Sequence, residues 1–208
     1  MSDIFRNPEE MKQYKYALCV VFGIHIFMFI VSLGAVIYGG SSAVLADSFD
    51  FIGDAGGYAL SMYILTKGKA IRAWVSVLKA AVMMVFSIVV IVFAVIEFRQ
   101  GTQPSYEIMG ASGILGIISH MICVYFLYKF KDGDSNQRSV WVCTINDLIS
   151  NTLTVIASYF VMSTNSNIPD IITAFIIVGI AIYGAITILS KAIKEIRETR
   201  VEKSLKNL

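Results

Sequence analysis

Six apolar stretches, each long enough to cross a lipid bilayer, dominate this chain of 208 residues. The hydrocarbon core of a bilayer is about 30 Å thick, which a helix of about 20 apolar residues spans. Charged residues make up only 15% of the chain and the loops between the stretches are short, so no large soluble domain fits. We therefore predict an all-α polytopic membrane protein with six transmembrane helices, at 16–38, 43–65, 74–98, 108–128, 140–162 and 171–193.

The positions of lysine and arginine predict how this bundle is oriented. Basic residues cluster before the first stretch, around the second and fourth loops and after the sixth stretch, whereas the opposite side has only Arg99. Because short loops rich in Lys and Arg stay in the cytoplasm, we predict that both termini are cytoplasmic. The leader lacks a cleavage-site pattern, so we predict no signal peptide.

This topology divides the chain into three parts. We predict a cytoplasmic N-terminal segment at 1–15, a six-helix transmembrane domain at 16–193 and a short charged cytoplasmic tail at 194–208 that extends the last helix. The expected location is a cell's inner or plasma membrane, as a multi-pass integral protein.

Three aspartates interrupt the second apolar stretch, AVLADSFDFIGDAGGYALSMYIL. An Asp at the centre of a membrane helix costs about 2.5 to 3.5 kcal/mol, whereas each Leu, Ile, Phe or Val returns only about 0.3 to 0.6 kcal/mol. At about 100° per residue, Asp47, Asp50 and Asp54 fall within about a third of the helix circumference. This stripe must face the bundle interior or an aqueous cavity, which is typical of an ion or proton pathway.

The fifth apolar stretch carries a second polar face. Cys143 and Asp147 are four residues apart and so lie on the same side of a helix. Asn151 continues this face by one turn, and Asn146 lies just beside it. Polar groups near the middle of a membrane are expensive unless they meet one another, so we predict that the second and fifth helices face each other.

Facing carboxylates of this kind suit a divalent metal ion. Asp50, Asp54 and Asp147, with one soft or neutral ligand, make a four-point site of the sort that zinc and similar ions accept. Carboxylates a few ångströms apart in a low-dielectric cavity cannot all stay ionised once the metal leaves, so protons would replace it. Exchange of metal for protons follows from this arrangement.

At these residues the chain resembles the cation diffusion facilitator family of divalent-metal/proton antiporters. That family carries LAD followed by an H/D-x-x-x-D pair on its second helix and another such pair on its fifth; here the stretches read LADSFDFIGD and CTINDLISN. The resemblance implies that Asp50 and Asp54 are metal ligands and that Asp147 completes the second pair. Cys143 stands where the family usually has His or Asp, and Asp47 matches the frequent Asp of LAD.

The resemblance covers nearly the whole chain and implies efflux of a divalent transition-metal cation by proton antiport. We expect Zn²⁺ first, with Cd²⁺, Co²⁺, Fe²⁺ and Mn²⁺ as alternatives; the metal is the substrate, and no tightly bound cofactor or enzymatic activity is expected. The expected partners are the metal ion, protons and membrane lipid, without nucleic acid. A homodimer stays open as a further partner. The resemblance is to short members lacking the C-terminal cytosolic domain, so a homodimer would not form through that domain.

Around the ligands, we assign supporting positions to Asp47, Asn146 and Asn151. Cys143 stays open between a thiolate ligand and an apolar packing residue. His25 and His120 have mostly apolar sequence neighbours, so we assign them to interhelical hydrogen bonds and leave them out of the metal site.

Two other functions fit an acidic membrane bundle. One is a proton-coupled exporter of organic cations, which needs an acidic cavity but no ligand geometry. The other is an intramembrane aspartyl hydrolase, in which Asp54 and Asp147 would share a proton and activate water. Such enzymes carry G-x-G-D before one catalytic Asp, and here only the final Gly-Asp is present, at Gly53 and Asp54.

Overall fold

The structure, a computed structural model, describes residues 8–64, 69–132 and 135–206. These residues form six long helices and no strand, which confirms the predicted all-α architecture. The N-terminal residues 1–7 and the basic loop around Lys67 lie outside the described residues. The helices are α1 (Pro8–Gly39), α2 (Ser42–Ile64), α3 (Lys69–Gln100), α4 (Tyr106–Leu127), α5 (Ser135–Thr164) and α6 (Ile168–Lys206), with a 3₁₀ turn at Tyr128–Phe130.

Four of these helices, α1, α3, α4 and α6, are long and apolar enough to cross a membrane by length and composition. α2 contains three aspartates and α5 is rich in Asn, Ser and Thr, so both are too polar to qualify on hydropathy. Large apolar side chains such as Ile37, Val85 and Tyr183 are exposed on the outside of the bundle, as a lipid-facing surface requires. The two helices that do not qualify are therefore the two that carry the predicted site.

The chain turns tightly at the ends of α1 and α3. Gly40 and Gly101 adopt φ values of +67° and +63°, a left-handed conformation that glycine reaches without a steric penalty. Ser105 caps α4 by accepting a hydrogen bond from the Ile108 backbone amide. α6 continues without a break to Lys206, so the charged tail extends the last helix as predicted.

α2 is the central helix, because it contacts each of the other five. α3 and α6 pack extensively on each other, while α1 packs on α2 and α4, and α4 packs on α5. A polar stripe on α2 is thus surrounded by protein rather than by lipid.

Two apolar cores lie toward opposite ends of the bundle. One includes Val36, Met109 and Ala157, from the end of α1, the start of α4 and the second half of α5. The other includes Leu18, Leu127 and Val140, from the start of α1, the end of α4 and the start of α5. Where the two cores meet along the helices lies what we call the central polar layer: His25, Asp54, Tyr58, His120 and Asp147, of which Tyr58 also packs in the second core.

Candidate functional site

The Tyr58 hydroxyl joins polar groups from three helices at the centre of this layer. It donates a hydrogen bond to Asp54 Oδ2 at 3.1 Å, and it lies 3.4 Å from both His25 Nε2 of α1 and Thr144 Oγ1 of α5. Asp147 follows Thr144 by three residues on α5, so it lies on the same side of that helix. The polar faces predicted for the second and fifth helices therefore meet around Tyr58.

The two histidines of the chain lie in the same layer. His120 Nε2 is 3.7 Å from Asp147 Oδ2, and the rings of His25 and His120 stand nearly perpendicular with centroids 5.2 Å apart. The candidate ligand atoms of His25, His120 and Asp147 all lie within 4.8 Å of one another. The four ligands predicted from the sequence do not form such a group among the described residues.

Asp50 borders a separate small cavity. Together with Asp54 and Gly53 of α2, it lines a space of about 30 Å³ that reaches Phe86 of α3 and Ile177 of α6. This volume suits one or two waters or a small ion. The two helix-two aspartates therefore connect the central polar layer with the contact between α2, α3 and α6.

Asp47 holds α2 against α5 near the site. Its Oδ2 accepts a hydrogen bond from Thr154 Oγ1 at 2.7 Å, and the Asp47 side chain is almost fully buried. A buried hydrogen bond to a charged group commonly stabilises by about 1.5 to 3 kcal/mol. Asp47 is thus placed to orient the helix that carries Asp50 and Asp54.

The other three residues of the predicted α5 face have different surroundings. Asn151 is buried, donates from Nδ2 to the Asp147 backbone oxygen at 2.9 Å, and lies so close to Gly116 of α4 that a Cβ there would be 1.7 Å from Asn151 Oδ1. Cys143 is half-buried. Asn146 is exposed and lines a surface groove with Tyr183 of α6.

A second group of buried acids lies at the start of α2, and we call Ser41, Ser42, Glu97 and Asp170 the α2 N-terminal cluster. Asp170 accepts hydrogen bonds from Ser41 Oγ at 2.7 Å, from Ser42 N at 2.7 Å and from Ala43 N at 3.2 Å. The Ser42 hydroxyl donates to Glu97. A carboxylate from α6 therefore adds to the local cap that Ser41 gives Val44, satisfying further amides that the first turn of a helix leaves without partners.

Five residues of these two groups were not predicted from the sequence: His25, His120, Tyr58, Asp170 and Glu97. The sequence gives some of them, but not all, a sign of a functional role. His25 and His120 are polar residues inside membrane spans, which is by itself an indication of function. Tyr58 follows Asp54 by four residues and so shares its helix face. Asp170 and Glu97 carry no such signal, because an acid near a helix end is ordinary and only packing brings both to α2.

The fold and this buried polar layer define an integral membrane protein, a helical bundle with ionisable side chains in its interior. A family model, the cation efflux transmembrane domain, matches residues 18–196. The chain belongs to this family, the cation diffusion facilitators, which confirms the resemblance given by its helix-two and helix-five motifs. None of the curated proteins compared with the chain matches it. Family membership supports cation efflux as the activity, in a family of transporters rather than enzymes.

Proposed function

We propose that this protein exports a divalent transition-metal cation, Zn²⁺ first, in exchange for protons, and that the metal binds mid-membrane between α2 and α5. Asp50, Asp54 and Asp147 supply carboxylate ligands, and Cys143 supplies the fourth. Both termini face the cytoplasm of a cell whose inner or plasma membrane holds the protein. Asp47 and Asn151 position the ligand-bearing helices, and Asn146 flanks them.

The observation that carries the proposal is the meeting of α2 and α5 at the Tyr58 hydroxyl, which donates to Asp54 and lies 3.4 Å from Thr144, three residues before Asp147. Carboxylates at this depth are expensive and are commonly retained for ion or proton movement. A bound divalent cation offsets their charge, and protons do so when it leaves. Both states avoid buried repelling carboxylates, which is the physical basis of exchange.

The cavity beside Asp50 favours a metal over an organic cation. Its volume of about 30 Å³ is far below the roughly 300 to 1,000 Å³ of pockets that enclose small organic molecules. Ligand chemistry points the same way, because carboxylate oxygen with one thiolate suits Zn²⁺ and its neighbours.

The test is metal flux into proteoliposomes that contain a metal indicator and a pH indicator. Asp54→Ala and Asp147→Ala should lower Zn²⁺ flux by at least about tenfold, because each removes a ligand. Asp132→Ala is the matched control, since Asp132 is exposed outside the helices and should leave flux unchanged. In the unmodified protein, inward Zn²⁺ movement should be accompanied by outward proton movement.

Two results would contradict the proposal in different ways. Flux of Asp54→Ala and Asp147→Ala equal to that of Asp132→Ala, at matched protein amounts, would remove these residues from the site. Zinc flux with no proton movement in either direction would rule out antiport and leave only cation efflux.

A further inference from the structure

Both histidines of the chain present the same ring nitrogen to the central polar layer. His25 Nδ1 lies 2.8 Å from the Val21 carbonyl oxygen, and His120 Nδ1 lies 3.0 Å from the Gly116 carbonyl oxygen, in each case one turn earlier on the same helix. A carbonyl oxygen can only accept, so each Nδ1 carries the proton. In the neutral rings, Nε2 is then the nitrogen with a lone pair.

This arrangement is typical of histidines that bind metal. A metal-ligating His usually donates its other ring N–H to a backbone carbonyl or a carboxylate, which fixes both the tautomer and the orientation of the ring. His120 Nε2 is fully buried and has no hydrogen-bond partner among the described residues, although it faces Asp147 Oδ2 at 3.7 Å. A buried acceptor without a partner is unfavourable, and a bound metal ion would satisfy it.

The spacing of the three groups is close to that of a coordination sphere. Zn–N and Zn–O distances of about 2.0 to 2.2 Å place neighbouring ligand atoms of a tetrahedral site about 3.3 to 3.6 Å apart. The His120 and Asp147 atoms, 3.7 Å apart, are near this range, and all three ligand atoms fit within 4.8 Å. Since no separation exceeds 4.8 Å, a shift of at most about 1.5 Å completes the geometry.

The surroundings keep this position dry and oriented. His25 and His120 are 0% and 1% exposed, and Phe51 packs against both rings, with centroids 5.6 Å and 5.1 Å away. The Tyr58 hydroxyl is 3.4 Å from His25 Nε2 and donates to Asp54, so it stands between this position and the predicted ligands of α2.

We propose that His25, His120 and Asp147 form a histidine-containing position for a divalent transition-metal ion. It draws one ligand each from α1, α4 and α5, and it adjoins the acidic position of α2 and α5 through Asp147. Three protein ligands leave one coordination place open, as suits an ion that must also leave. Imidazole nitrogen favours Zn²⁺, Co²⁺ and Ni²⁺ over Mg²⁺ and Ca²⁺. The inference deepens the proposed metal efflux, because the same ion would meet both positions.

The chain permits a direct test, because it contains only two histidines. The full chain is purified through a tag without histidine, loaded with Zn²⁺ and studied by X-ray absorption at the zinc edge. The unmodified protein should show two imidazole ligands, His25→Gln and His120→Gln should each show one, and the double variant none. Each single variant should bind Zn²⁺ at least about tenfold more weakly.

Asp50→Ala separates this inference from the proposed function. It should keep both imidazole ligands while losing zinc flux, since Asp50 belongs to the acidic position. Imidazole ligands in an unmodified protein that moves no zinc would support the histidine position and count against metal efflux. Bound and transported zinc without imidazole ligands in the unmodified protein would overturn the histidine position alone. Failure to bind any metal would overturn both.

Discussion

Replacement of Asp170 by alanine should destabilise the bundle more than loss of an ordinary carboxylate. Asp170 is fully buried and accepts three hydrogen bonds at the start of α2. Ser41 Oγ also accepts from Val44 N at 3.0 Å, so part of the cap survives the substitution. The Ser42 and Ala43 amides lose the carboxylate that accepts from them.

The magnitude follows from those two amides. Each buried donor left without a partner costs about 1 to 3 kcal/mol. Removing a carboxylate next to Glu97 relieves some repulsion, so we expect a net loss of about 2 to 4 kcal/mol. For a chain of this length the free-energy loss lowers the unfolding midpoint by about 4 to 16 °C.

Thermal unfolding of the detergent-solubilised protein, followed by circular dichroism, measures this loss. Asp132→Ala, at an exposed position outside the helices, is the matched control and should shift the midpoint by little. Asp170→Asn should fall between the two, because its amide group still offers one acceptor oxygen. Equal midpoints for Asp170→Ala and Asp132→Ala would refute the reasoning that α6 caps α2.

Two further substitutions test the packing and the chemistry of the site. Gly116→Ala should cost about 1 to 3 kcal/mol by overpacking, because its Cβ would meet Asn151 Oδ1 at 1.7 Å; Gly23→Ala, with no atom within 4 Å of its Cβ, is the control and should be neutral or stabilising by thermal unfolding. If Gly116→Ala is as stable as Gly23→Ala, then α4 and α5 are further apart at Gly116 than the structure shows. Cys143→Ser should weaken Cd²⁺ binding more than Mn²⁺ binding if the thiolate is a ligand, because thiolates prefer soft ions. Competition binding across these metals measures the ranking, and a ranking identical to the unmodified protein would remove the thiolate from the site.

The fold was predictable because each membrane helix can be recognised from its own segment of sequence. Each apolar stretch needs only its own length and composition to be recognised, and the structure has all six helices within a few residues of the predicted apolar segments, longer where polar flanks at 8–15 and 194–206 continue as helix. The resemblance to the family was equally local, since it depended on short motifs that include Asp50, Asp54 and Asp147, and the family model over residues 18–196 confirms it.

Which residues make up the site was harder to predict from the sequence. That α2 and α5 face each other followed from the cost of intramembrane aspartates, and the contacts of Tyr58 with Thr144 and of Asp47 with Thr154 agree with it. The contacts of the two histidines could not be predicted in this way. The apolar residues next to each histidine in the sequence lie on its own helix, and they do not show which residues of another helix pack against it. Asn146 illustrates the same limit, since a difference of one residue from Asp147 turns it to the surface.

By itself, therefore, the sequence determined the six helices, the family and the acidic faces of α2 and α5, because each depends on composition and spacing within one segment. Only the tertiary structure decided that His25 and His120 join Asp147, and that Asp170 of α6 caps α2 beside Glu97. These contacts join residues 27 to 129 positions apart, and helical periodicity relates positions only within one helix. Packing between helices determines which of those faces meet.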